Sequence, residues 1–143
     1  MPDLPKKKVG IITCSGEEIP EGTVTRLAAL KVLEQLRPAD TVTICMPLFL
    51  AGGEGDRAFA RFYPTIAIDG CKLACAAKMV QQSGGTIAQE FAVLDVYRRY
   101  KELKPQGIAE LNEAGLKLAR VLAEEVAVVV DNLITEKQGG KNA

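Results

Sequence analysis

Four cysteines and no histidine define the chemistry open to this chain. Cys14 closes the apolar run VGIITC, Cys45 closes TVTIC, and Cys71 follows TIAIDG, with Cys75 one helical turn further on. A thiolate can ligate a metal or attack an electrophile. Without imidazole, any metal must take sulfur and oxygen ligands, and acid–base work falls to Cys, Asp, Glu, Lys or Tyr. The apolar runs read as parallel strands, whose carboxyl ends open onto one crevice. Three strand ends and an adjoining turn would then gather four sulfurs at one place.

A helix expected over residues 71–82 would put the β-carbons of Cys71 and Cys75 about 5–6 Å apart on one face. Zinc binds sulfur at about 2.3 Å in a tetrahedron, so inward-leaning rotamers could offer it two ligands there. Cys14 and Cys45 would complete a four-cysteine set. An iron–sulfur cluster accepts four cysteines equally well. Four thiolates around Zn²⁺ leave net negative charge, which Lys72, Lys78 and the helix amino termini after residues 15–22 and near Cys71 could offset. The same field would lower thiol pKa values, so the alternative is a thiol-based redox or sulfur-handling enzyme using Cys14 or Cys71. Against it, the chain has no C-x-x-C dithiol, and neither cysteine begins a Cys-x₅-Arg phosphate loop. Any one cysteine alone could be a small core residue; their shared placement argues for a site.

The elements that must position these residues alternate. Lys8–Cys14 reads as a strand, and Thr23–Arg37 as a helix with Val24, Leu27, Leu30 and Leu33 on its buried stripe, stopped by Pro38. Thr41–Met46 is a second strand and Thr65–Ile68 a third. Between them, AGGEG reads as a hinge, and DRAFARFY as a short helix with Phe59 and Phe62 on one side. Arg57 and Arg61 with Phe59, Phe62 and Tyr63 could form a lid, although packing of the aromatics on the sheet is the simpler account. Cys71–Gln82 is expected as a helix ended by Gly84–Gly85, and Phe91–Val96 as a fourth strand.

The segment Ile108–Lys137 carries a helical period through Leu111, Leu118, Leu122, Val126, Val129 and Leu133. Its VAVVV at 126–130 leaves a short fifth strand open. This pattern predicts an α/β fold, a three-layer αβα sandwich on a mostly parallel sheet of four or five strands, in a flavodoxin-like order 2-1-3-4. Asp69 is expected to cap the helix that follows it, and Gly70 to permit the tight turn. Glu17, Glu18 and Glu21 read as solvated loop charges.

The 143 residues suit a single domain over 1–143, with 1–7 as a flexible leader and 138–143 as a frayed tail. Eighteen basic residues balance eighteen acidic ones, so no global field would draw in nucleic acid or an anionic membrane. No stretch nears the roughly 20 apolar residues of a bilayer helix, and the opening lacks a secretory pattern. A cytoplasmic protein with a metal ion as its partner is the expectation, in a compartment where disulfides seldom persist.

Ile68-Asp69-Gly70-Cys71, followed by Cys75 and preceded by Cys14 within TCSG and by Cys45, resembles the DGC-domain family. That family is named for its Asp-Gly-Cys motif, and its members look like small α/β domains whose four cysteines are thought to bind zinc. The resemblance covers roughly residues 8–85. It implies Cys14, Cys45, Cys71 and Cys75 as zinc ligands, with Asp69 and Gly70 shaping the turn. It favours zinc over an iron–sulfur cluster and implies no particular reaction. Glu17–Thr25 is more acidic than the family's Gly/Ser/Asn-rich turn, so a small-molecule role for that loop is not carried over.

Overall fold

The computed structural model describes residues 8–14 and 16–142, with side chains through Thr135. The expected leader and Ala143 lie outside the described residues. Strand β1 (Val9–Thr13) is almost wholly buried and runs parallel to β2 (Thr41–Ile44) on one side and β3 (Thr65–Asp69) on the other. Strand β4 (Ile87–Ala92) pairs in parallel with β3, giving the order β2-β1-β3-β4. The predicted 2-1-3-4 parallel sheet is the one observed.

Side chains alternate across the sheet, so each strand feeds two cores. Ile11 and Ile66, neighbours in the β1–β3 register, face a core made by α1 (Pro20–Lys31), α5 (Val93–Arg99) and α6 (Glu113–Asn142). Ile12 and Ala67, the next pair, face a smaller core beneath α2 (Met46–Ala51), α3 (Glu54–Phe62) and α4 (Cys75–Gln82). The crossover from β1 to β2 therefore packs on one face and the two later crossovers on the other. This reversal falls between β1 and β3, where open α/β sheets form their crevice.

Local chemistry sets the boundaries. Helix α1 begins at Pro20, earlier than the expected Thr23, because a proline suits the first helical turn and needs no amide partner there. It loosens into a π-helical stretch over Val32–Leu36, closed by the Arg37 N–H on the Val32 carbonyl at 2.8 Å, just before Pro38. Gly10 lies flat in β1 because a Cβ there would meet Ile44 at 2.5 Å and the Phe59 ring at 2.8 Å.

Residues 46–62 form two helices where a long connection with one short helix was expected. Gly52, at φ +96°, ends α2, and Gly53 caps α3, so AGGEG is a helix junction. Phe59 stacks on Tyr63 with ring centroids 4.5 Å apart, while Phe62 is 73% exposed, so the two phenylalanines do not share a packed side. Arg57 donates to the Phe49 carbonyl, which ties α3 to α2 and gives that arginine a structural task.

The fourth strand is IAQEFA, and FAVLDV is largely helical. Gln89 and Glu90 are exposed on this edge strand, so its apolar pattern is weak, whereas Val93 and Val96 are buried one helical turn apart in α5. The VAVVV stretch is helical. Val126 and Val130 point into the core at i, i+4 while Val128 is 56% exposed, and burial on that stripe outweighs strand propensity. Helix α6 starts at Glu113, later than expected, and its backbone stays helical to Asn142, past the expected end at Lys137. Two bidentate ion pairs fasten it: Arg37 to Asp131 at 2.6 and 2.7 Å, and Arg99 to Glu125 at 2.8 and 2.7 Å.

Candidate functional site

Cys14 and Cys45 directly follow β1 and β2, and the Asp69-Gly70-Cys71 turn begins on the last residue of β3, so all sit at the carboxyl edge of the sheet. Cys14 is the inner residue, 8% exposed. Its N–H continues the β1–β3 ladder to the Ile68 carbonyl at 3.1 Å, and its sulfur accepts the Gly70 N–H at 3.3 Å. Thr25 Oγ1 lies 3.9 Å from the same sulfur. That hydroxyl is also 2.6 Å from the Gly22 carbonyl, and either partner can be the donor between Cys14 and Thr25. Burial pushes the Cys14 pKa above its ordinary value, the two hydrogen bonds oppose this, and Asp69 and Cys71 nearby push it further up. This corrects the expected low-pKa nucleophile at Cys14: desolvation of the anion outweighs the amide dipole.

Three glycines let backbones close around this sulfur. Gly16 has φ +46° and packs on Gly22 so closely that a Cβ on Gly22 would overlap the Gly16 carbonyl. A Cβ on Gly70 would sit 3.0 Å from the Glu21 carbonyl carbon and 3.1 Å from the Gly22 nitrogen. Side chains larger than hydrogen are therefore excluded where the two strand-end turns meet α1. The spacing alone gave no sign of Gly16 or Gly22. Two glycines bracketing the loop after a strand-end cysteine were the available signal.

Asp69 is 3% exposed, and its carboxylate accepts the N–H groups of Ala76 at 2.8 Å and Ala77 at 3.3 Å. It thus caps α4 as expected, but from seven residues upstream. Burial raises its pKa, the two amides oppose that rise, and Glu90 adds to it. Helix α4 consequently starts at Cys75, with Ala74 at φ +54° ahead of it and its N–H on the Cys71 carbonyl at 3.2 Å. Cys71 and Cys75 therefore do not share a helix face. Cys71 belongs to a turn and Cys75 to the first helical position, which corrects the i, i+4 argument.

The other cysteines are more open. Cys71 is half-buried beside a hollow lined by Asp69, Lys72, Glu90 and Asp95. Cys45 is exposed, and its N–H donates to Asp56 at 2.9 Å. Cys75 is exposed on α4. A hollow of about 290 Å³ between α1 and the ends of β1 and β2 has both Cys14 and Cys45 in its wall, with Arg26, Leu30, Leu33 and Met46.

The fold thus brings Cys14 into electrostatic contact with Cys71 and into a common hollow with Cys45, while Cys75 stays on the rim. Among the described residues, no three Cys, Asp or Glu side chains are drawn together as a ligand set. The donor set is chemically suited to a thiophilic cation: sulfur on three neighbouring loops, with an amide already aimed at one sulfur. Among the described residues no helix is long and apolar enough to cross a membrane.

No curated protein and no solved structure matches the chain. The model of the DGC domain matches residues 10–115, which include all four cysteines and the Asp-Gly-Cys turn. The chain belongs to the DGC domain family.

Proposed function

We propose that this is a cytoplasmic metal-binding protein that holds zinc through the thiolates of Cys14, Cys45, Cys71 and Cys75 at the carboxyl edge of its sheet. The observation that carries this reading is the Gly70 N–H on the Cys14 sulfur. It joins the Asp-Gly-Cys turn to a cysteine from another strand by the type of bond that a metal-bound thiolate accepts. Zinc, once bound, would neutralise thiolate charge and cross-link three loops; a closed four-sulfur site suits structure, storage or transfer of metal better than hydrolysis. Binding asks Cys45 and Cys75 to turn in from the rim toward the two inner sulfurs.

The protein, purified anaerobically, should carry stoichiometric zinc by mass spectrometry and lose it in the Cys71→Ala variant. A brown protein with visible absorption would replace zinc by an iron–sulfur cluster. Wild type without metal, or full occupancy in Cys71→Ala, would sink the four-thiolate reading.

A further inference from the structure

The chain leaves β1 toward one face of the sheet, through α1, and leaves β2 toward the other, through α2. The gap between the two strand ends is left uncovered, and the hollow of about 290 Å³ opens there. Most of its wall is apolar, with Leu30, Leu33 and Met46 among the lining residues. Leu30 is 47% exposed, and Leu33 stands on the π-helical stretch Val32–Leu36, a distortion that often marks functional sites. Arg26 is the one formally charged side chain among the described residues of this wall. One of its N–H groups donates to Thr23 Oγ1 at 3.1 Å, and that hydroxyl donates to the Ile108 carbonyl at 2.5 Å, so the guanidinium is held in place. Five N–H donors on one planar fork let an arginine keep such a tether and still serve an acceptor from outside.

The geometry points to a small-molecule site in this hollow that takes a monocarboxylate with a short apolar body, its carboxylate on Arg26 and its chain against Leu30, Leu33 and Met46. The place is the one where open α/β sheets take ligands, outside the carboxyl ends of the strands. The volume sets the size: at roughly 30 Å³ for each water-sized group, about ten non-hydrogen atoms fit. A single cation on an apolar wall matches one negative charge and would leave a second one desolvated, so dicarboxylates and phosphate esters fit worse. The site asks nothing of the thiols as ligands, so it goes beyond the metal-binding reading and does not depend on it. Cys14 and Cys45 line the hollow and Cys75 does not, so an occupant shields the first two from reagents.

Hexanoate and its neutral isostere hexanamide are the probes, with acetate as the carboxylate that lacks the apolar body. In an NMR titration of the isotope-labelled protein as purified, hexanoate should shift the Leu30 and Leu33 amides saturably, with affinity at least ~10-fold above hexanamide or acetate. At saturation it should slow alkylation of Cys14 and Cys45 and leave Cys75 unchanged. Arg26→Gln should bring hexanoate down to the affinity of hexanamide while hexanamide binding stays the same, a pattern that loss of the fold would not give. Leu30→Glu, at an exposed position, should weaken hexanoate by like charge. No saturable shift up to about 20 mM hexanoate, or equal affinity for hexanoate and hexanamide, would overturn the site. Zinc content of the same sample reports on the metal-binding reading alone.

Discussion

The amide of Gly70 reaches across 56 positions of sequence to the sulfur of Cys14, 3.3 Å away. The contact exists because β1 and β3 are neighbours in the sheet and their ends turn toward the same helix. It fixes the Asp-Gly-Cys turn against a buried thiol, and the consequences of that packing can be measured.

Backbone closeness makes the glycines unequal. Gly22→Ala should destabilise the protein by about 1–3 kcal/mol, since its methyl would overlap the Gly16 carbonyl. Gly55→Ala, within α3 and with nothing within 4 Å, should be neutral or stabilising by up to about 1 kcal/mol. Urea unfolding of the two variants checks the contrast.

Cys14 should be the slow thiol of the metal-free protein. Its burial raises the pKa above the ordinary 9.0, so its thiolate fraction stays low at neutral pH and its alkylation should accelerate only in strongly alkaline buffer. Iodoacetamide labelling across a pH series, read residue by residue, measures this. Labelling of Cys14 that is already maximal near neutrality would contradict it.

Asp131 links stability to pH. Its hydrogen bond to Arg37 depresses its pKa below the ordinary 3.8. A depressed acid stabilises the folded state above its unfolded pKa, and that contribution is lost as pH falls through the lower folded value. The window therefore lies below about pH 4, on the acid side of the ordinary aspartate value. Both partners face solvent, so the effect is small and salt-screened. Asp131→Asn should lose this acid-limb dependence, and the difference from wild type should shrink at high salt.

The valine run of α6 separates burial from propensity. Val126→Ala should cost about 1–3 kcal/mol, because its side chain is fully buried. Val128→Lys should leave stability unchanged or slightly raised, because that residue is exposed and lysine forms helix better than valine. Thermal unfolding of both variants tests the assignment; equal losses would mean that Val128 packs against something.

The central strands β1 and β3 were legible because they are buried on both faces and write themselves as short apolar runs, VGIIT and TIAID, while the edge strand β2 was marked by its β-branched TVTI. The other edge strand, β4, was misplaced for the complementary reason, since Ala88, Gln89 and Glu90 are all exposed on alternating sides and only Ile87 and Phe91 pack partly, each against a different core. The cysteines' common edge followed from the strand ends. Their different exposures did not, because whether a strand-end residue is covered depends on which loop folds over it. Cys14 is covered on one side by a loop whose closure needs Gly16 and Gly22 to touch, a contact that no periodicity reports. The late start of α4 was hidden similarly: it depends on the Asp69 side chain occupying amides that an earlier helix start would have used differently.

Since every strand of the sheet points the same way, the opposite rim carries the turns entering β2, β3 and β4, including the exposed Ala39 and Thr86. A fluorophore, affinity handle or surface tether attached at Ala39 or Thr86 would hang from the end remote from the sulfurs. The molecule could then be immobilised with its thiol-bearing rim free to face the solution.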